Sequence, residues 1–295
     1  VKEIREILLK IHADLELRRK VIPLFRGNPG IGKTEVIKQV ARELGVDVVE
    51  MIASTVTPHE ISGMAMPDTE LKKMVVWDFD GLLALKDGDI LFFDEILNGN
   101  PSVLNAFLTL LQNRTMLSGK RLPNVMIVAA ANPQGACQLT PQIKQRFIFY
   151  DVKFDRESWQ EWMIKRFNTP GDISSKLAQL ILDEKFNASE DNYITPRSIE
   201  NAMLQMIYEV PTPYDARLRP LLEMPITNNT AEIISDDFTF KPGDSKPYLE
   251  VLRVAYKLDK ARVENGEAIN AGRMEVTLSK NEKEVIVKRK RTKKI

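Results

Sequence analysis

A chain of 295 residues, 43% hydrophobic and 28% charged, has the length and composition of one large or two modest globular domains, which excludes disorder as its main state. Sixteen prolines and fourteen glycines fall far below a collagenous or low-complexity composition, and a lone thiol, Cys137, excludes an intramolecular disulfide and any multi-cysteine zinc or iron–sulfur site. The net charge of +1 hides an uneven distribution: from Lys280 onward eight basic residues face two acidic ones, so a mildly acidic body carries a basic end.

Ile4, Ile7, Leu8, Ile11 and Leu15 recur at helical spacing with charges between them, so the first twenty residues read as an amphipathic helix and not as a signal peptide. No uncharged apolar run is long enough to cross a bilayer, and a single thiol suits a reducing compartment; the expectation is a cytoplasmic protein with no membrane contact. Val21, Ile22, Leu24 and Phe25 form a strand that runs into a glycine-rich turn, and Val36, Ile37, Val40, Ala41 and Leu44 give a helix ended by Gly45. Further strands are expected at Val46–Ile52, Ile90–Phe93, Val125–Ala131 and Phe147–Val152. Between them lies a helix through Leu104, Phe107, Leu108 and Leu111, with Asn100 as its N-cap and Pro101 as its first residue. Strands alternating with helices imply an α/β fold with a mostly parallel sheet flanked by helices, whose ligands bind at the carboxyl ends of the strands.

After Asp151 the apolar pattern is helical, through Trp159, Trp162, Met163 and Phe167, then Leu177, Leu180 and Ile181, then Ile199, Met203, Met206 and Ile207. The expected organisation is a large α/β domain over 1–153, a small helical domain over 154–210, and an extension over 211–295. Pro211, Pro213, Pro220, Pro225, Pro242 and Pro247 break that extension into irregular chain with one helix at Tyr248–Glu264 and the basic tail. No internal repeat is present.

The turn after the first strand reads GNPGIGKT, from Gly27 through Asn28, Pro29, Gly30, Ile31 and Gly32 to Lys33 and Thr34, a complete G-x-x-x-x-G-K-T between a predicted strand and a predicted helix. Glycines let backbone N–H groups curl around phosphate oxygens, and the helix N-terminus adds its dipole. Lys33 is placed to reach the β- and γ-phosphates of ATP, and the Thr34 hydroxyl to ligate Mg²⁺. Sixty positions later, Asp94 and Glu95 close a buried apolar strand. Two acids after a strand are common in turns, but beside a P-loop Asp94 becomes the candidate Mg²⁺ ligand and Glu95 the group that polarises water toward the γ-phosphate.

These residues make the chain resemble the AAA+ ATPases over about Val21 to Ile207. The run from Asp94 through LNAFLTLLQNRTM to AAANP and QRF is similar to the MoxR and dynein-related (midasin-like) branch. The resemblance implies that Asn132 orients the lytic water, that Arg146 reaches the γ-phosphate of a neighbouring subunit, and that the active form is a homo-oligomeric ring, a hexamer. It also implies a protein substrate, with a von Willebrand A domain protein as the MoxR-type partner. Where that branch reads Asp-Glu-Ile-Asn, Leu97 here separates Ile96 from Asn98, so no role carries over to this asparagine.

Arg197 follows Thr195 and Pro196, which look like an N-cap and a first helical residue. A cation in a first turn opposes the helix dipole by roughly 0.3–1 kcal/mol, so the residue calls for a partner; the resemblance implies that it is the lid arginine that contacts nucleotide, against an ion pair with a nearby acid. Gly63–Pro67 reads as a surface turn, with a pore loop gripping a polymer as the alternative. Arg114 and Arg121 are candidate second cations at a subunit boundary. His12 and His59 lack metal-ligand spacing, and Trp159 and Trp162 suit lid packing. The expected function is a ring-forming ATPase that remodels a partner protein. A nucleic-acid motor or loader using the basic tail, and a nucleotide-gated assembly scaffold, are the alternatives.

Overall fold

The N-terminal amphipathic segment folds as two helices, α1 (Lys2–Ala13) and α2 (Leu15–Lys20), because the Asp14 carboxylate caps the second by accepting from the Leu17 N–H at 2.8 Å. The structure is a computed structural model that describes residues 2–135, 137, 139–167, 169, 171–184, 191–224, 248–250 and 252–253, and the backbone of 238–240, 274–278 and 285–289. Contacts divide the chain into two units, Val1–Phe154 and Asp155–Ile295.

In the first unit the remaining elements are β1 (Pro23–Arg26), α3 (Lys33–Leu44), β2 (Val48–Ile52), α4 (Pro58–Ser62), β3 (Met64–Asp68), β4 (Lys73–Trp77), α5 (Asp80–Leu83), β5 (Ile90–Asp94), α6 (Pro101–Asn113), β6 (Met126–Ala131), α7 (Pro141–Lys144) and β7 (Ile148–Asp151). Five strands pair in parallel in the order β2-β5-β6-β1-β7. The apolar runs Ile90–Phe93 and Met126–Ala131 are buried along their whole length, as strands covered on both faces must be. Alternate residues then serve opposite layers. Leu91, Phe93, Ile127 and Ala129 meet Val103, Leu104, Phe107 and Leu111 of α6, and the Phe93 and Phe107 rings lie 4.2 Å apart. Ile90, Phe92, Met126 and Val128 face Ile4, Leu8 and Ile11 of α1 and Val36, Ile37 and Val40 of α3. Asn100 caps α6 as its sequence predicts, its side chain accepting from the Val103 N–H at 2.9 Å.

Gly63–Pro67, expected to be a turn, is largely a strand: β3 pairs antiparallel with β4, Met64 opposite Trp77 and Met66 opposite Val75. The sequence hid this hairpin because neither strand alternates apolar with polar residues. The pairing leaves Met64, Met66, Met74 and Trp77 exposed.

The second unit opens with α8 (Arg156–Phe167), α9 (Gly171–Asp183), α10 (Pro196–Ile207) and α11 (Asp215–Leu222). Trp159 is buried, and the Trp162 ring meets Phe167 edge-on at 6.2 Å. Helix α11 corrects the reading of irregular chain after residue 211. Pro220 sits inside it, and the helix forms because Leu218 and Leu222 are buried while Arg219 pairs with Asp215 and Glu223 one turn away on either side. The extension also holds strands: β8 (Phe238–Phe240), β9 (Met274–Leu278) and β10 (Val285–Arg289) form an antiparallel sheet with β10 in the middle. Within the basic tail, residues 285–289 are a paired strand, and the rest of the tail lies outside the described residues. Of the helix expected at Tyr248–Glu264, residues 248–250 and 252–253 are helical, and the rest lies outside the described residues.

Candidate nucleotide site

The loop between β1 and α3 is shaped by its glycines. A Cβ on Gly27 would stand 2.5 Å from the Val152 carbonyl oxygen, so no larger residue fits where β1 leaves the sheet, and Gly32 enters α3 at a left-handed φ of 94°. Lys33, the first residue of α3, is 7% exposed, and its ammonium donates to the carbonyls of Gly27 at 2.7 Å and Asn28 at 3.0 Å and to Asn132 Oδ1 at 3.0 Å. Asn132 directly follows β6, the strand next to β1, which is why its amide reaches the P-loop lysine. A buried ammonium held by these neutral oxygens, in a turn that opens onto a helix N-terminus, is suited to exchange them for phosphate.

The strand carrying Asp94, β5, is separated from β1 by β6. The side chains still meet, since the Thr34 hydroxyl donates to Asp94 Oδ2 at 2.7 Å. The other oxygen, Oδ1, accepts the Glu95 N–H at 2.8 Å. A hydroxyl and a carboxylate in contact are the hard oxygen donors that Mg²⁺ prefers, and both would hold the ion. Glu95 adopts a left-handed backbone, with φ 52° and ψ 36°, and a single 3₁₀ turn, Ile96–Asn98, follows. Its carboxylate Oε2 accepts from Ser54 Oγ at 3.1 Å and lies 3.5 Å from Asn98 Nδ2.

Ser54 is a site residue that sequence reasoning missed. The available signal was its place just past β2, whose Ile52 pairs in register with Asp94. Asn98, to which no role was given, is brought beside Glu95 by the 3₁₀ turn.

Arg146 lies in the turn between α7 and β7, exposed, and its guanidinium has no hydrogen-bond or ion-pair partner among the described residues. Arg197 belongs to the second unit. Thr195 caps α10, accepting from the Ser198 N–H at 3.0 Å, Pro196 opens the helix, and Arg197 in its first turn is exposed with no carboxylate partner among the described residues. Arg114 is not a boundary cation. Its guanidinium turns inward to the carbonyls of Val125 at 3.0 Å and Arg18 at 2.6 Å, and burial, with Arg19 nearby, holds its pKa below the ordinary value. Arg121 is exposed in a short bridge with Thr115. His12 Nε2 meets the Gly88 carbonyl at 2.8 Å, His59 is exposed, and among the described residues no group of three His, Cys, Asp or Glu residues is placed to hold a metal ion. No helix among them is long and apolar enough to cross a membrane.

An uncharacterized protein of Methanocaldococcus jannaschii is 28% identical over 130 residues, covering 43% of this chain and 34% of its own length. Midasin of Giardia intestinalis is 27% identical over 172 residues, 54% of this chain and 4% of midasin. The chain thus spans about a third of the first relative and a small part of the second. Among solved structures, a point mutant of Thermotoga maritima RuvB superposes with a TM-score of 0.49 at 16% identity, covering 74% of this chain and 70% of that one. The family model of the AAA domain (dynein-related subfamily) matches residues 23–147. That match runs from the first residue of β1 to the residue before β7, the stretch that carries Lys33, Asp94, Glu95 and Asn132, and over it the chain is similar to the dynein-related AAA domains.

Proposed function

We propose that the chain is a ring-forming, magnesium-dependent ATPase that couples hydrolysis to remodelling of a partner protein. The observation that carries this reading is the meeting of Lys33 with Asn132 and of Thr34 with Asp94, beside Glu95, at the carboxyl end of the sheet. Backbone N–H groups at the start of α3 and the Lys33 ammonium bind the β- and γ-phosphates, and Lys33 gives up Asn132 as it does so. Asn132 is then free to orient water. Glu95 accepts that water's proton as its oxygen attacks the γ-phosphorus and ADP leaves. Mg²⁺, when bound by Thr34 and Asp94, neutralises charge on the phosphates.

The exposed Arg146, without a partner among the described residues, supports action on a neighbour's γ-phosphate, hence a ring, with a hexamer as the proposed size. Arg197 is the proposed lid sensor. The exposed Met64, Met66, Met74 and Trp77 favour a polypeptide as the object of the motion, because a soft apolar face suits protein side chains. The resemblance to the MoxR branch makes a von Willebrand A domain protein the first partner to test.

The test measures ATP turnover and assembly mass by light scattering for the wild-type chain and Glu95→Gln. The variant should bind ATP, assemble to six copies and stop hydrolysing. Wild-type turnover in Glu95→Gln would overturn the assignment. ATP-driven assembly without turnover in the wild type would make the chain a scaffold, and turnover stimulated by polynucleotide alone would make it a motor or loader.

A further inference from the structure

Gly135 lies three residues after Asn132, and Leu97 two residues after Glu95. A Cβ built on Gly135 would stand 2.2 Å from Leu97 Cβ, 2.9 Å from its carbonyl oxygen and 3.0 Å from its carbonyl carbon. Gly135 is not among the residues with positive φ, so an L side chain suits its backbone, and the need for glycine comes from the contact alone. The two segments are also tied by hydrogen bonds. The Cys137 N–H donates to the Leu97 carbonyl at 2.8 Å, the Gly135 N–H to the Asn132 carbonyl at 3.1 Å, and the Asn98 N–H to the Glu95 carbonyl at 2.7 Å. Leu97 and Cys137 pack on the same apolar core as Phe93, Ile96 and Ala131, so that core lies behind both.

We infer that Gly135 and Leu97 are positioning residues that lock the loop after Asn132 to the turn after Glu95, so that the two candidate catalytic groups keep one mutual geometry. The inference rests on the roles proposed above for Glu95 and Asn132. Carbon atoms rest about 3.5–4.0 Å apart, so a Cβ at 2.2 Å forces one segment to move by about 1.3–1.8 Å. With the core behind Leu97, that movement carries Glu95 or Asn132 along. Misplacing a reacting group by about 1 Å costs on the order of 10²-fold in rate.

The experiment compares kcat, KM for ATP and thermal stability for wild type, Gly135→Ala, Leu97→Gly, the double variant Leu97→Gly with Gly135→Ala, Cys137→Pro and Glu95→Gln. Gly135→Ala should lower kcat by about 10²-fold with KM nearly unchanged, since Lys33 and the P-loop are untouched. Leu97→Gly removes the atom at 2.2 Å but leaves the carbonyl oxygen and carbon at 2.9 and 3.0 Å, so it should restore part of that loss, a few-fold, a rescue that two independent structural defects would not give. Cys137→Pro removes the N–H that holds the Leu97 carbonyl and sets a ring carbon against that oxygen, without adding bulk at Gly135, and should lower kcat by at least a few-fold.

Wild-type kcat in Gly135→Ala, or losses that simply multiply in the double variant, would overturn the lock. If Gly135→Ala does not fold, an unchanged kcat in Cys137→Pro overturns it and a lowered one supports it. Glu95→Gln separates the two levels. Its inactivity beside a fully active Gly135→Ala defeats the lock alone, whereas its activity defeats the reading of the site.

Discussion

Replacing Lys33 by alanine separates a phosphate-binding role from a purely structural one, because the structure sets different magnitudes for the two. The buried ammonium donates hydrogen bonds to Gly27, Asn28 and Asn132. Bonds to a charged group are worth about 1.5–3 kcal/mol each, so their loss costs about 5–9 kcal/mol gross. Against this, the variant no longer buries an ammonium away from water, a penalty of several kcal/mol. The two are of opposite sign and similar size, so stability without nucleotide should change by only about 1 kcal/mol, or roughly 2–4 °C in Tm for a unit of this size. Nucleotide affinity has no such offset. Losing charge-assisted bonds to the β- and γ-phosphates removes about 3 kcal/mol or more, at least about 10²-fold in Kd. Calorimetric titration with ATP and a thermal melt without it measure the two numbers on one preparation. A Kd within tenfold of wild type, or a Tm lower by more than about 10 °C, would show that Lys33 serves the loop and not the phosphates.

Arg146→Ala should slow hydrolysis by as much as about 10³-fold with ATP affinity kept, and mixing it with Lys33→Ala should recover some turnover where intact groups meet across a junction; loss of ATP binding by Arg146→Ala alone would place the arginine in its own subunit's site. Arg197→Ala should blunt the preference between ATP and ADP, read from paired titrations, with little change in Tm because the side chain is exposed and unpaired among the described residues; unfolding with preference intact would reject the sensor role. The Glu60 carboxylate accepts from the Thr57 N–H at 2.6 Å and hydroxyl at 2.8 Å, which holds its pKa below the ordinary value. A lowered folded pKa stabilises above the ordinary carboxylate range and loses that stabilisation as pH falls through the lowered value. Amide exchange in α4 should therefore quicken on acidification, beyond its intrinsic pH trend, in wild type but not in Glu60→Gln, and identical profiles would refute the assignment.

The sequence by itself determined what short-range chemistry sets. Gly27–Thr34 could be read because a turn with Gly27 crowded against β7's end and Gly32 at positive φ needs those residues wherever it occurs. The strand ending at Asp94 was legible because a run buried on both faces is apolar throughout, and α6 because Asn100 and Pro101 cap it locally. The tertiary structure decided what depends on pairing between distant segments. Strand order put β6 between β1 and β5, and so put Asn132 on Lys33 and Ser54 on Glu95. Antiparallel pairing made strands of Met64–Asp68 and Val285–Arg289, where neither period nor charge announced them. Arg114 looked like a surface cation until two carbonyls far from it in the chain or across a loop drew it inward. Each of these is a contact whose partner a local pattern does not name, because side chains and backbone groups meet in the sheet according to register and strand order, which only the folded chain fixes.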